Sequence, residues 1–123
     1  MAKKILIADD EPNIVISLEF LLKREGYEVV VARDGVEALE RVRADRPDLA
    51  ILDVMMPQRN GFEVCQDLRQ DPEFADLRIM MLTAKGRDTE VSKGLALGAD
   101  VYMTKPFSTR ELVAKVKALI DRN

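Results

Sequence analysis

The chain has 123 residues, 47% hydrophobic and 33% charged, with a net charge of -3, which suits about one globular domain whose core needs no disulfide or structural metal. With no histidine and Cys65 as the lone cysteine, a zinc site of the usual kind and a Ser-His or Cys-His nucleophile pair are excluded, so chemistry must rest on carboxylates, lysine, hydroxyls or a hard cation. The charge gives no general attraction to nucleic acid, no run approaches the roughly 20 apolar residues of a membrane helix, and the stretch after "MAKK" is too short for a signal peptide, so a cytoplasmic protein is expected.

The first predicted strand runs from Lys4 to Asp9 inside "ILIADDEP", where apolar residues lead directly into Asp9, Asp10 and Glu11. Adjacent acids repel one another and fit a strand poorly, so this junction carries a local cost. Pro12 then opens a helix through Ile14, Leu18, Leu21 and Leu22 that stops at Gly26. Glu28 to Ala32 forms the second strand, and Asp34 with Glu37 opens a helix that ends before Pro47. Leu49 to Asp53 is the third strand, and Asn60 with Glu63 repeats the capping-box spacing ahead of Phe62, Val64 and Leu68. The fourth strand is Ile79 to Thr83, followed by a fourth helix that Asp88 can cap and Gly98 can end. Asp100 to Thr104 is the fifth strand. Ser108 with Glu111 opens the fifth helix, whose apolar side carries Leu112, Val113, Val116, Leu119 and Ile120.

Runs such as "LAILD" and "IMML" lack clean alternation, as strands covered on both faces do. Five strand-helix units in one unbroken series predict an α/β protein, a parallel sheet with helices on both faces. Without an internal linker or low-complexity tract, residues 1–123 read as a single domain.

In such a sheet, ligands bind beyond the carboxyl ends of the strands where strand order reverses; for the flavodoxin-like order 2-1-3-4-5 this lies between strands one and three. Asp9 and Asp10 close the first strand and Asp53 the third, so acids far apart in the sequence meet at one rim. Clustered carboxylates are unfavourable unless protonated or joined to a cation, and Mg²⁺ takes such oxygens while keeping waters and phosphate oxygens in its shell. Thr83 adds a hydroxyl and Lys105 an ammonium. The set suits a phosphoryl group, and because a carboxylate can itself be the nucleophile, Asp53 is the best placed acceptor. Each piece has a plainer reading: Asp10 or Glu11 as a helix cap, Asp53 as a turn residue, Thr83 as an ordinary strand residue, "KP" as a turn signal. Their joint placement at the ends of strands one, three, four and five favours the site. Cys65, Met80 and Met81 read as core residues; Arg41, Arg43, Lys115 and Lys117 read as solvated faces.

The stretches "ILIADDEP", "LAILDVMMP", "IMMLTA" and "YMTKPF" resemble the signature segments of a CheY-like response-regulator receiver domain across essentially the whole chain. The resemblance implies a flavodoxin-like, doubly wound five-stranded parallel sheet of order 2-1-3-4-5 that takes a phosphoryl group from a sensor histidine kinase or phosphotransfer protein. By position, Asp53 would be the phosphoacceptor, and Asp9, Asp10, Asp53 and the backbone carbonyl of Met55 would hold Mg²⁺. Lys105 would pair with the phosphoryl group and Thr83 would hydrogen-bond it. Tyr102 would turn inward as Thr83 moves, and the Lys105-Pro106 bond would be cis. The result would be a signalling switch rather than an enzyme, acting on a downstream protein or output domain through the face of the fourth helix, fifth strand and fifth helix. The domain itself would make no direct contact with nucleic acid or membrane. Where related receivers carry charge for dimerisation, this chain has Val91, Ala96 and Val101, which makes the face more apolar.

Other classes compete. A haloacid-dehalogenase-like phosphatase needs an acid two residues after its nucleophile, where this chain has Met55. An FMN module would have its phosphate repelled by "DDEP". A receiver-like module that binds partners without phosphate would be expected to have lost some of the acidic set, which is intact here.

Overall fold

The computed structural model describes residues 2–83, 92–93, 95–105 and 107–121. In chain order the elements are β1 (Lys4–Ala8), α1 (Pro12–Arg24), β2 (Glu28–Ala32), α2 (Gly35–Asp45), β3 (Leu49–Asp53), α3 (Gly61–Gln70), a 3-10 turn (Pro72–Phe74), β4 (Arg78–Thr83), β5 (Val101–Thr104) and α4 (Thr109–Asp121). The strands form one five-stranded sheet of order β2-β1-β3-β4-β5, and every neighbouring pair is parallel. This is the doubly wound, flavodoxin-like arrangement. The expected fifth helical segment is α4. Of the expected fourth, Ser92, Lys93, Leu95 and Ala96 are helical, while its capping residue Asp88 and Val91 lie outside the described residues.

Side-chain alternation along each strand explains the unbroken apolar runs. On one face Leu6, Ala50, Leu52, Ile79 and Met81 pack with Ala38, Leu39 and Val42 of α2 and Val64, Cys65 and Leu68 of α3. On the other, Ile5, Ile7, Leu49, Ile51, Met80 and Leu82 pack with Val15, Leu18 and Leu22 of α1 and Leu112, Val116 and Leu119 of α4. Successive residues point to opposite faces, so a strand covered on both sides must be apolar at every position. Cys65, Met80 and Met81 are fully buried, as core residues.

Local signals set the helix ends. The amides of Gly26 and Tyr27 donate to the carbonyls of Lys23 and Leu22, a Schellman turn that needs the positive φ of 94° at Gly26. The Asp34 side chain accepts from the Glu37 amide at the start of α2, and left-handed Arg46 ends that helix before Pro47. Asn60 and Glu63 form the full reciprocal capping box. At α4 the Ser108 hydroxyl accepts from the Glu111 amide at 3.3 Å.

Candidate functional site

Strand register brings the candidate residues together. Ala8 of β1 lies opposite Leu52 of β3, so the next residue on each chain segment, Asp9 and Asp53, emerges at the same rim. Asp53 is opposite Leu82 and Thr83 is opposite Thr104, while the Lys105 amide donates to the Thr83 carbonyl at 2.6 Å. Four strand ends therefore deliver two acids, a hydroxyl and an ammonium side by side.

Burial separates this rim from the rest of the molecule. Among the described residues, the buried polar side chains are Asp9, Asp53 and Thr83, at 2%, 4% and 1% exposure. A buried carboxylate is costly without a partner, and Lys105 supplies one. Its Nζ lies 3.0 Å from Asp9 Oδ2, 3.2 Å from Glu11 Oε1 and 3.6 Å from Asp53 Oδ1, and its side chain is 10% exposed. The Glu11 amide donates to Asp9 Oδ1 at 2.9 Å, and the Met55 backbone amide bonds the Asp53 carboxylate.

Two buried acids sharing one ammonium leave excess negative charge. Burial first, then the Asp9 charge, pushes Asp53 up to about 7, against the downward pull of Lys105 and the Met55 amide. Burial works to lower Lys105, but its bond to Asp9, the charges of Asp53 and Asp9, and the Glu11 bond outweigh it and hold the ammonium above its ordinary value.

The donor set fits a hard cation. Asp9, Asp10 and Asp53 each offer a carboxylate oxygen, and these atoms all lie within 4.8 Å of one another. Mg²⁺ holds oxygens at about 2.0–2.1 Å, so opposite ligands stand about 4.2 Å apart, and small side-chain adjustments would bring all three to one ion. Asp10 is exposed, so the carboxylate cluster is open to solvent on that side.

The loop after Asp53 is held tightly to the rim. The Val54 amide donates to the Leu82 carbonyl, and the Gly61 amide at the start of α3 returns to the Val54 carbonyl. A Cβ on Gly61 would lie 2.4 Å from the Asp53 carbonyl oxygen, so only glycine allows this approach. The Met55 side chain is exposed. Tyr102, half-buried on β5, packs against the cluster shared with α2 and α3. Pro106, and with it the Lys105-Pro106 peptide bond, lies outside the described residues.

The plain reading of Glu11 as a helix cap is not what forms: it occupies the N-cap position of α1, yet its side chain makes no cap bond and reaches Lys105 instead. The pairing was missed from sequence. A signal was present, since the shorter Ser, Asp and Asn are the favoured side chains at such a position and glutamate is not among them.

A doubly wound 2-1-3-4-5 sheet with this acid, hydroxyl and lysine rim is the architecture of a two-component receiver, and the chain belongs to that family: the response regulator receiver domain model matches residues 5–117. Among curated proteins, it is 51% identical over 123 residues to the alkaline phosphatase synthesis transcriptional regulatory protein PhoP of Bacillus subtilis (strain 168). The match covers 100% of this chain and 50% of PhoP, so the chain spans about half the length of that relative. Among solved structures, a chain described as a response regulator from Chloroflexus aurantiacus J-10-fl superposes with a TM-score of 0.95 at 38% identity, covering 99% of this chain and 100% of that one. The CheY-like receiver domain protein of Methanospirillum hungatei JF-1 gives 0.92 at 30% identity, with 98% and 95% covered. The BeF3-activated N-terminal receiver domain of Klebsiella pneumoniae RstA gives 0.91 at 28%, with 98% and 100% covered. The chain is thus the receiver domain of a two-component response regulator, a class of signalling switches and not of classical enzymes. The phosphatase and flavin readings give way to this membership.

Proposed function

We propose that this domain takes a phosphoryl group from a phosphohistidine of a sensor kinase or phosphotransfer protein onto Asp53, in a reaction that requires Mg²⁺, and so switches a protein-interaction face. An Asp53 carboxylate oxygen forms the new bond to phosphorus as the donor's P–N bond breaks, and the imidazole leaves with the bonding electron pair. The transferred group carries charge on its outer oxygens, which the Lys105 ammonium and the Thr83 hydroxyl would meet. Asp9, Asp10, Asp53 and the Met55 carbonyl would hold Mg²⁺, which when bound neutralises phosphoryl charge and keeps Asp53 ionised. The Met55 amide bond to the carboxylate and the tight Gly61 approach to the Asp53 backbone would hold the nucleophile in place.

The phosphoryl group adds charge and acceptor oxygens at the rim, drawing Thr83 and Lys105 toward it. Thr83 lies next to β5, where Tyr102 is half-buried, and motion there would bias the surface built by the fourth helix, β5 and α4 toward its partner. That partner is a downstream protein or an output domain, reached without direct nucleic acid or membrane contact by this domain, in the cytoplasm. No described helix is long and apolar enough to cross a membrane.

The observation that carries this reading is the concentration of buried polarity: the buried polar side chains among the described residues are Asp9, Asp53 and Thr83, with Lys105 bonded to the first. The direct test is intact mass after incubation with acetyl phosphate, with and without Mg²⁺, on the unsubstituted protein and on Asp53→Asn. One hydroxylamine-labile phosphoryl addition that needs Mg²⁺ and disappears in Asp53→Asn is expected. Addition that persists in Asp53→Asn would put the acceptor elsewhere, and failure of both acetyl phosphate and a kinase to modify the chain would favour phosphate-independent partner binding.

A further inference from the structure

The Lys105 ammonium does not sit midway between the two buried acids. It lies 3.0 Å from Asp9 and 3.2 Å from Glu11, but 3.6 Å from Asp53, so it is displaced from the acceptor toward Glu11. Glu11 is built into that position from both sides. Its amide is bonded to Asp9, Pro12 follows it as the first residue of α1, and its carboxylate ignores the helix it could cap.

The partners of Lys105 differ in how easily they release it. Asp9 is 2% exposed and has no water to turn to, whereas the Glu11 side chain is 58% exposed and would lose little by returning to solvent. Glu11 is therefore the more easily released partner of the two. A phosphoryl group on Asp53 brings close to two negative charges within reach of Lys105 and outcompetes a single exposed carboxylate.

We propose that Glu11 is a positioning residue of the switch: it holds the Lys105 ammonium off Asp53 until a phosphoryl group draws it away. The inference rests on Asp53 being the phosphoacceptor. A pair so exposed on one side is weak, so the expected effect is a tuning of about two- to fivefold rather than a lock.

Two substitutions separate positioning from plain charge. Glu11→Gln removes the charge at constant size. Glu11→Asp keeps the charge but shortens the side chain, and aspartate at a helix N-cap is drawn to its own helix amides, so it should leave Lys105 free. The first readout needs neither Mg²⁺ nor phosphorylation: acylation of the Lys105 amine by acetic anhydride, followed by peptide mass spectrometry with Lys3 as internal reference. Both variants should label Lys105 about two- to fivefold faster than the unsubstituted protein. The second is the initial rate of acetyl phosphate-driven phosphorylation, which should rise by a similar factor in both.

If Glu11→Gln accelerates both readouts while Glu11→Asp matches the unsubstituted protein, Glu11 acts through charge alone and the positioning role is overturned. Unchanged labelling in both variants also overturns it, as does faster labelling with an unchanged phosphorylation rate. Failure of the Asp53 reading shows itself separately, as phosphorylation that survives Asp53→Asn.

Discussion

Asp53 costs the folded state energy before it does anything else. It is almost fully buried, stands beside Asp9, and holds its proton up to about pH 7, against an ordinary value of 3.8. Between these two values the folded chain binds a proton that the unfolded chain has released, so metal-free stability falls as pH rises from about 4 to about 7 and levels off above. Below about pH 4 both states are protonated and the penalty vanishes. Asp53→Asn removes the ionisable group, and in urea unfolding at pH 7.5 without Mg²⁺ it should be more stable by on the order of 1–3 kcal/mol. At pH 4 the two proteins should unfold at nearly the same urea concentration. Equal stability at both pH values would mean that Lys105 fully compensates the Asp53 charge. Thr83 and Tyr102 belong to the same scale: if the proposed switch operates, Thr83→Ala and Tyr102→Ala should still accept phosphate but show no gain in partner affinity on phosphorylation.

At the scale of elements, the entry to α3 holds the loop that follows Asp53. Asn60 makes both halves of a capping box, and Gly61 lies directly against the Asp53 backbone. These neighbours should fail differently. Asn60→Ala loses the cap and should cost about 1 kcal/mol in denaturant midpoint with little change in phosphorylation rate. Gly61→Ala forces a methyl to within 2.4 Å of the Asp53 carbonyl oxygen, so either the helix start or Asp53 must move. It should cost about 1–3 kcal/mol and also slow acetyl phosphate-driven phosphorylation. A Gly61→Ala protein that phosphorylates at the normal rate would show that α3 moves and Asp53 does not.

At the scale of the molecule, a single arginine links parts distant in sequence. Arg69 of α3 donates to the carbonyls of Gly98 and Phe74 and pairs with Asp100 at 3.0 Å, while Asp100 also accepts from the Ile79 amide of β4. One guanidinium thus ties α3 to the 3-10 turn and to the entry of β5, which carries Tyr102. Arg69→Ala should cost on the order of 2 kcal/mol by leaving those acceptors short of a donor. The acidic rim gives a second whole-molecule prediction. If the rim holds Mg²⁺ as proposed, the ion competes with the Asp53 proton, and the rise in Tm on adding Mg²⁺ should grow between pH 5.5 and 8 and shrink in Asp53→Asn. A Tm shift independent of pH would place the cation away from Asp53.

Much of this architecture was legible in the chain because its signals are local. Asp34, Asn60 and Ser108 accept from the amides three residues on, as their spacing predicts, and Gly26 ends α1 by a turn that only a few residue types adopt easily. Apolar runs such as "LAILD" are doubly covered strands because alternate residues feed different helical layers. The boundaries moved by a single residue where pairing outranked composition: β1 stops at Ala8, β4 gains Arg78, and β5 begins at Val101. By itself the sequence determined the order of elements and which residue types stand at the strand ends, since caps, periodicity and turn chemistry act over a few neighbouring positions. Only the tertiary structure decided which charges touch. The Asp9–Lys105 and Glu11–Lys105 bonds span 96 and 94 positions, and the high proton affinity of Asp53 depends on how deeply packing removes it from water. Electrostatic energies are set by distance and dielectric, and neither exists until the sheet has closed between its helices.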